Sequence, residues 1–376
     1  MLARDAGTQA RLGRITTTRG EIPTPAFLPV ATHGFVRALP IAALAATGAQ
    51  IVLANAYHLR VRPGAEAIAA LGGLHRFMGW EGAILTDSGG FQVTSLAGHR
   101  QVTDDGIAFR SHVDGALLFL DPESALDFQV QLGVDIAMVL DECTPHPYTP
   151  GQSRAGLDRT LRWAERAVRR GVGPGQALFA ITQGGTDPAL RREAAHTLSA
   201  LPFDGYAIGG LGIGEGREAL RRTVAAHAPD LPEDRPRYLM GVGPPADIVE
   251  AVAAGVDMFD CVIPTRNARN AAAFTWQGLL NLRNARHARD PAPLGPDCRC
   301  GTCARHPRGY LHHLVRTADS LAGSLLTAHN LHFYQQLMET IRQAIPAGTL
   351  GALRHRLCAA YPDRAPGPRP LPPLRP

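Results

Sequence analysis

Apolar residues in this chain come in short blocks separated by longer amphipathic stretches. IVLA at 51–54, AILT at 83–86, IAMVLD at 136–141 and LFAIT at 178–182 are nearly continuous in hydrophobic character. So are YAIGG at 206–210, YLMGVG at 238–243 and VDMFD at 256–260. Blocks of this length without polar alternation predict parallel strands buried on both faces. Between them, 152–171, 187–200, 215–227 and 245–254 carry apolar positions at helical spacing. Asp121-Pro122 and Asp187-Pro188 each put a capping side chain ahead of a proline, which predicts helix starts at both places. Strand–helix alternation over about 250 residues predicts a (β/α)8 TIM barrel, with a doubly wound open sheet as the alternative. No Gly-x-Gly-x-x-Gly follows the first strand, which counts against a dinucleotide-binding sheet.

The flanks read differently. RITTTRGEI and the prolines after it predict a β-hairpin within the first 25 residues. The alternation breaks over 276–306. The expected division is therefore a barrel with an N-terminal β element (1–275), an inserted subdomain (276–330), C-terminal helices that complete the barrel (331–361), and a Pro/Arg-rich tail (362–376) with the composition of a disordered segment.

The polar residues that interrupt this pattern fall just after the predicted strands. AILT runs into Asp87-Ser88-Gly89-Gly90-Phe91-Gln92, IAMVL into Asp141-Glu142-Cys143, and LFAIT into Gln183-Gly184-Gly185. YAI is followed by Gly209-Gly210-Leu211, YLM by Gly241-Val242-Gly243, and VDMF ends in Asp260-Cys261. In a barrel these ends share one face, where active sites lie. Carboxylates and glycine turns converging there suit glycosyl transfer, in which one carboxylate attacks an anomeric carbon and another manages protons on the leaving group. Each residue alone reads equally well as a cap, a turn or a core position. Nothing in the pattern resembles a Ser-His-Asp triad.

Composition narrows the chemistry. The 376 residues are 45% hydrophobic and 19% charged, with a formal net charge of +5 and no lysine. Schiff-base aldolases and pyridoxal-phosphate enzymes are thereby excluded. Eight arginines lie between Arg266 and Arg308 against Asp290 and Asp297, a local basic excess that fits either an anionic partner or a solvated surface. No apolar run is long enough to span a bilayer, and MLARDAGTQARLGR lacks the apolar middle of a secretion signal, so the expected location is the cytoplasm. Cys298, Cys300 and Cys303 form C-x-C-x-x-C, which in a cytosolic chain points to a metal rather than to disulfides.

Seven segments, taken together and in order, resemble the signatures of bacterial-type tRNA-guanine transglycosylases. They are TDSGGFQV (86–93), FRSHVDG (109–115), DECTPHP (141–147), GGLGIGE (209–215), YLMGVG (238–243), FDCVIPTRNARN (259–270) and AHNLHFY (328–334). The match covers roughly residues 10–345. It implies a zinc-bearing (β/α)8 barrel, usually a homodimer, that exchanges guanine 34 of tRNAs with a U33-G34-U35 core for the queuosine precursor preQ1. By this resemblance Asp260 is the nucleophile toward ribose C1′ and Asp87 the general acid/base. Asp141 reads the purine edge with Gln183, Gly210 and the Leu211 carbonyl, and Phe91 and Met240 sandwich the base. Ser88, Cys143 and Gly209 complete the base site. Arg266, Asn267, Ala268, Arg269 and Asn270 resemble the anticodon-contacting segment, whose arginines would meet phosphate. His329 joins the three cysteines as the fourth ligand of one structural Zn2+, a closed Cys3His set. His332, His312 and His313 lie outside the family frame, as does Asp257 three residues before Asp260.

Departures bear on specificity. Gly212 stands where Ala or Ser is usual, and Ile213 where bacterial members carry Val and eukaryotic ones Gly. Ile213 and Cys143 resemble a pocket for preQ1 and against queuine. Ala271 replaces a usual Gly. The competing readings are a non-catalytic tRNA-binding paralogue, against which Asp87 and Asp260 argue; a eukaryotic or archaeal-type member using queuine or preQ0; and an unrelated barrel glycosidase, which leaves the Cys/His set and the arginine segment unexplained.

Overall fold

In the computed structural model, which describes residues 1–96 and 100–363, eight parallel strands close into a barrel. Strand β1 runs in two segments, Ala26–Leu28 and Val30–Ala31, interrupted at Pro29, which has no N–H to donate. Its first half pairs with β8 and its second with β2, so the two ends of the sheet belong to one strand. The Pro29 carbonyl still accepts from Leu53 N at 3.0 Å. The remaining strands are β2 (Ile51–Ala54), β3 (Ala83–Thr86), β4 (Ile136–Met138), β5 (Ala177–Thr182), β6 (Gly205–Ile208), β7 (Arg237–Leu239) and β8 (Met258–Asp260), each hydrogen-bonded to the next in chain order. All residues of β2, β3, β4, β6 and β7 are buried, as the unbroken apolar blocks require. An open doubly wound sheet is thus ruled out by closure.

The helix starts follow the capping chemistry. Asp121 accepts from Ser124 N, and Ser124 returns the bond to Asp121 N, with Pro122 at the first helical position of Pro122–Leu132. Asp187 accepts from Ala189 N and Leu190 N at the head of Pro188–Ser199. Thr149 caps Pro150–Arg170. The N-terminal element is a hairpin, Arg11–Thr17 against Gly20–Thr24, extended by a short third strand, Ala3–Arg4. A second antiparallel sheet, from the strands Arg100–Val102, Ile107–Arg110 and Leu117–Leu120, lies between β3 and its helix. It carries the FRSHVDG segment.

After β8 come helix Ile263–Arg269, a hairpin of Ala272–Thr275 and Gly278–Asn281, and two helices, Gly301–Arg305 and Arg308–Arg316. They gather around a small apolar cluster that includes Leu282, Leu294, Leu311 and Leu326. The long helix Ser320–Ala347 then serves both bodies. Leu326 packs into this cluster, while Tyr334 packs at a tilt of 44° against Phe27 of β1 with ring centroids 4.5 Å apart. The helix runs unbroken across the 330/331 division expected from the sequence, and the hairpin of Ala272–Thr275 and Gly278–Asn281 spans the one at 275/276. Of the tail expected from Pro362, residues 364–376 lie outside the described residues. Among the described residues no helix is long and apolar enough to cross a membrane.

Candidate active site

Because all eight strands are parallel, their C-terminal ends open on one face. Asp87 follows β3, Asp141 lies just beyond β4, Gln183 follows β5, Gly209 follows β6, Met240 follows β7, and Asp260 is the last residue of β8. Each polar group that interrupts an apolar block therefore arrives at the same mouth. A cavity of about 490 Å³ lies elsewhere, beside Gln50, Trp80 and Gly82 at the N-terminal ends of β2 and β3, and brings together none of these groups.

The carboxylates are held unequally. Asp87 Oδ1 accepts from Ala56 N at 2.9 Å and Oδ2 from Asn55 Nδ2 at 2.5 Å. Asn55 is oriented by its own role as helix cap, its Oδ1 accepting from His58 N, which turns the amide N toward Asp87. Asp260 is anchored through Oδ1, by Tyr238 Oη at 2.6 Å and Gly241 N at 2.8 Å. Burial pushes Asp87 up to about 7, opposed by the Ala56 N–H and reinforced by the charge of Asp260. Burial also raises Asp260, opposed by the Tyr238 hydroxyl and Gly241 N–H. Two nearby carboxylates with different donor sets can divide acid/base and nucleophilic roles between them.

Asp141 forms the opposite wall. Its Oδ2 accepts from Gln183 Nε2 at 2.6 Å, and burial lifts it to about 6 against that bond. Ser88 faces Asp141, and its Oγ accepts from Gly90 N at 3.3 Å. The Cys143 thiol is pushed up to about 12 by burial and the Asp141 charge, so it is neutral and no nucleophile. Gly210 sits at φ +67°, where a Cβ would come within 2.3 Å of Gln183 Oε1. Leu211 is buried beside it. Phe91 is 47% exposed at the mouth, which excludes the plain core role that its sequence context allows. Met240 is half-buried. The loop with Gly212, Ile213 and Gly214 is pinned by the Glu215 carboxylate, which accepts from all three backbone N–H groups at 2.5–3.1 Å.

Helix Ile263–Arg269 starts three residues after Asp260 and presents Arg266, Arg269 and Asn270 to solvent, with Asn267 half-buried. Arg37 adds to them, since its charge and that of Arg266 disfavour the Arg269 guanidinium, after burial. Ala268 does not join this surface. It is 2% exposed, packed in the cluster with Leu282 and Leu311, because position 268 falls on the inward face of the helix. Ala271 adopts φ +61°, the left-handed region that a glycine would enter freely.

Asp257, the potential rival of Asp260, is buried in an ion pair with Arg11 and accepts from Arg237 N at 2.7 Å. It ties β7 and β8 to the N-terminal sheet and contributes nothing to the mouth.

The donor atoms of Cys298, Cys300, Cys303 and His329 lie within 4.8 Å of one another, a set able to hold a metal ion. His329 Nδ1 is 3.6, 3.5 and 3.4 Å from the three sulfurs. Metal bonds of about 2.3 Å to sulfur and 2.05 Å to nitrogen at a tetrahedral angle require about 3.6 Å, so the geometry fits. His329 Nε2 donates to Phe274 O at 2.8 Å, which leaves Nδ1 as the ligand. The histidines outside the family frame are placed apart: His312 is bonded to Leu282 O, His313 faces solvent, and His332 is outside the donor set.

Of the groups that hold these carboxylates, sequence reasoning missed Asn55, Gln92 and Tyr238. Asn55 could have been found as the cap after IVLA. Gln92 faces Asp87 from the segment already singled out. Tyr238 had no such signal, because it lies in a stretch that reads as strand core.

A model of the family described as Queuine tRNA-ribosyltransferase matches residues 5–363. The chain is 52% identical over 361 residues to the queuine tRNA-ribosyltransferase of Aromatoleum aromaticum, covering 95% of this chain and 96% of that one. It is 53% identical over 346 residues to that of Gluconacetobacter diazotrophicus, covering 92% and 89%. With that of Zymomonas mobilis the identity is 48% over 358 residues, covering 94% and 93%.

Proposed function

The chain belongs to the queuine tRNA-ribosyltransferase family of pentosyltransferases, and on that premise we propose that it replaces guanine 34 in tRNAs with a U33-G34-U35 core by preQ1, through a covalent Asp260–ribose intermediate. The observation that carries this reading is the unequal holding of the Asp87/Asp260 pair. Two donors stabilise the charge of Asp260 on Oδ1, and among the described residues no side chain donates to Oδ2, as a nucleophile needs. Asp87 titrates near neutrality, as a group that gives and then takes a proton needs.

Asp260 Oδ2 attacks C1′ as the C1′–N9 bond breaks. The departing guanine keeps the bonding electron pair and takes a proton from Asp87. PreQ1 then enters, loses its N9 proton to Asp87 and attacks C1′. The ester bond to Asp260 breaks, the carboxylate is restored, and two inversions retain the anomeric configuration. Asp141, with Gln183, Gly210 and the Leu211 carbonyl, reads the edge of the extruded base, and Ser88, Cys143 and Gly209 close the wall around it. Phe91 and Met240 cover its faces. The half-buried Ile213 and the buried Cys143 favour the small preQ1 over the bulkier queuine.

Arg266, Asn267, Arg269 and Asn270 contact the anticodon loop, with affinity that falls as salt rises. The four-residue cluster holds one structural zinc, which ties the inserted segment to helix Ser320–Ala347. A homodimer working in the cytoplasm is the expected form.

The test is incorporation of radiolabelled guanine into an anticodon stem-loop with U33-G34-U35, with preQ1 as competitor and Asp260→Asn alongside. Exchange blocked by preQ1, with a denaturation-resistant RNA adduct in the wild type and none in the variant, is the expected result. No exchange from folded, zinc-loaded wild type refutes the catalytic role. Blocking by queuine alone refutes the base choice.

A further inference from the structure

Beneath the base pocket lies a cation that the chemistry above does not use. Arg191, on helix Pro188–Ser199, is 1% exposed and among the largest fully buried side chains. Its hydrogen bonds go to backbone carbonyls rather than to a carboxylate. Nε donates to Gly185 O at 2.8 Å, Nη1 to Thr182 O at 3.0 Å and Nη2 to Gly209 O at 2.8 Å. Burial lowers its guanidinium only to about 10, so it is charged at neutral pH. Placing a charge there is costly, and three carbonyl dipoles compensate it only in part.

The carbonyls it binds are informative. Thr182 immediately precedes Gln183, and Gly185 closes the turn that follows, so two of the bonds fix the segment carrying Gln183. The third fixes the peptide between Gly209 and Gly210. That peptide is trans, so its C=O and N–H point in opposite directions. With the Gly209 carbonyl turned back onto Arg191, the Gly210 N–H is turned toward the pocket side, where it faces Cys143. A cation on the carbonyl oxygen draws electron density through the amide and makes the N–H a stronger donor. Behind Arg191, neutral His227 holds Thr182 Oγ1 at 2.9 Å, which stiffens the same support.

We infer that Arg191 is a positioning residue for base exchange, holding and polarising the 209–210 peptide so that the Gly210 N–H donates to the exocyclic oxygen of the departing purine. The inference rests on the base-exchange function proposed above. As the C1′–N9 bond breaks, its electron pair spreads over the purine onto that oxygen. A fixed donor there therefore gains strength in the transition state.

The experiment uses the full-length, zinc-loaded protein as wild type, Arg191→Gln and Arg191→Lys, with kcat and KM for guanine exchange measured separately. Guanine and 2-aminopurine, the same ring system without the oxygen, are compared as inhibitors. A direct donor to a developing oxyanion changes kcat by about 100–1,000-fold, so acting through one peptide Arg191→Gln is expected to lower kcat by about 10–100-fold. KM for the stem-loop RNA should change less, Arg191→Lys should recover part of the loss, and guanine should weaken as an inhibitor while 2-aminopurine does not. Equal weakening of both bases, or a rise in KM alone, overturns the inference and leaves Arg191 a packing residue. If neither variant folds, wild type decides: 2-aminopurine must inhibit at least about tenfold more weakly than guanine, and equal inhibition overturns the inference. Absence of exchange in wild type removes the base-exchange function itself, whereas the outcomes above remove only the role of Arg191.

Discussion

Replacing Tyr238 with Phe removes one hydroxyl from a fully buried ring and nothing else. That hydroxyl donates to Asp260 Oδ1 at 2.6 Å, and it is the foremost influence opposing the effect of burial on this carboxylate. A hydrogen bond to a charged group is worth about 1.5–3 kcal/mol. At 1.36 kcal/mol per pH unit, losing it displaces the protonation of Asp260 upward by about one to two pH units. The sign follows from the bond's preference for the carboxylate: without the donor the proton is held to higher pH. The acid limb of the rate profile should therefore move up by that amount, and the rate on that limb should fall by about 10–100-fold. The loss should shrink as pH rises, until the alkaline limb set by Asp87, near 7, is met. The bell narrows, so the peak falls as well. The Gly241 N–H at 2.8 Å remains, so the nucleophile proposed at Asp260 is weakened but not abolished. Initial rates of labelled guanine incorporation from about pH 5 to 9, with the melting temperature as a control on folding, measure this. A loss of the same factor at every pH, or an unmoved acid limb, would refute the assigned role of the Tyr238–Asp260 bond.

Further outcomes follow from the same geometry. Gly210→Ala puts a side chain at φ +67° and against Gln183 Oε1, a strain of about 1–3 kcal/mol, so KM for guanine should rise by about 10–100-fold; an unchanged KM contradicts the pocket assignment. Asp87 has a folded-state value of about 7 against about 3.9 unfolded, so its contribution to stability is fully present below about pH 4 and is lost as pH rises through 7. Asp87→Asn should therefore be inactive yet more stable near pH 8, by on the order of a few kcal/mol, with an advantage that shrinks toward pH 5; a pH-independent difference in melting temperature opposes this. One zinc per chain should be found by elemental analysis. His329→Ala or a strong chelator should lower the melting temperature and release the inserted segment to proteolysis before the barrel; melting that ignores metal content contradicts a structural site.

Much of this protein is determined by local sequence. Unbroken apolar blocks such as AILT and IAMVL predict strands covered on both sides, and capped proline starts at Asp121 and Asp187 place helices between them. Parallel strands share their C-terminal ends, so the meeting of Asp87, Asp141 and Asp260 follows from their positions after the blocks. The Cys298–Cys303 spacing likewise announces a metal cluster without its fold.

What the sequence leaves open is decided by contacts between residues far apart in the chain. Closure of the barrel depends on β1 pairing on both sides across Pro29. The choice between Asp257 and Asp260 depends on Arg11, which lies 246 residues from Asp257 and neutralises it inside the core. The burial of Ala268 within the arginine helix depends on Leu282 and Leu311 packing against that face. The roles of Tyr238 and Arg191 depend on which carboxylate or carbonyl stands opposite a side chain otherwise indistinguishable from strand core or helix surface. Local periodicity encodes which way a residue faces, but its charge and donor strength are set by neighbours that only the folded chain supplies.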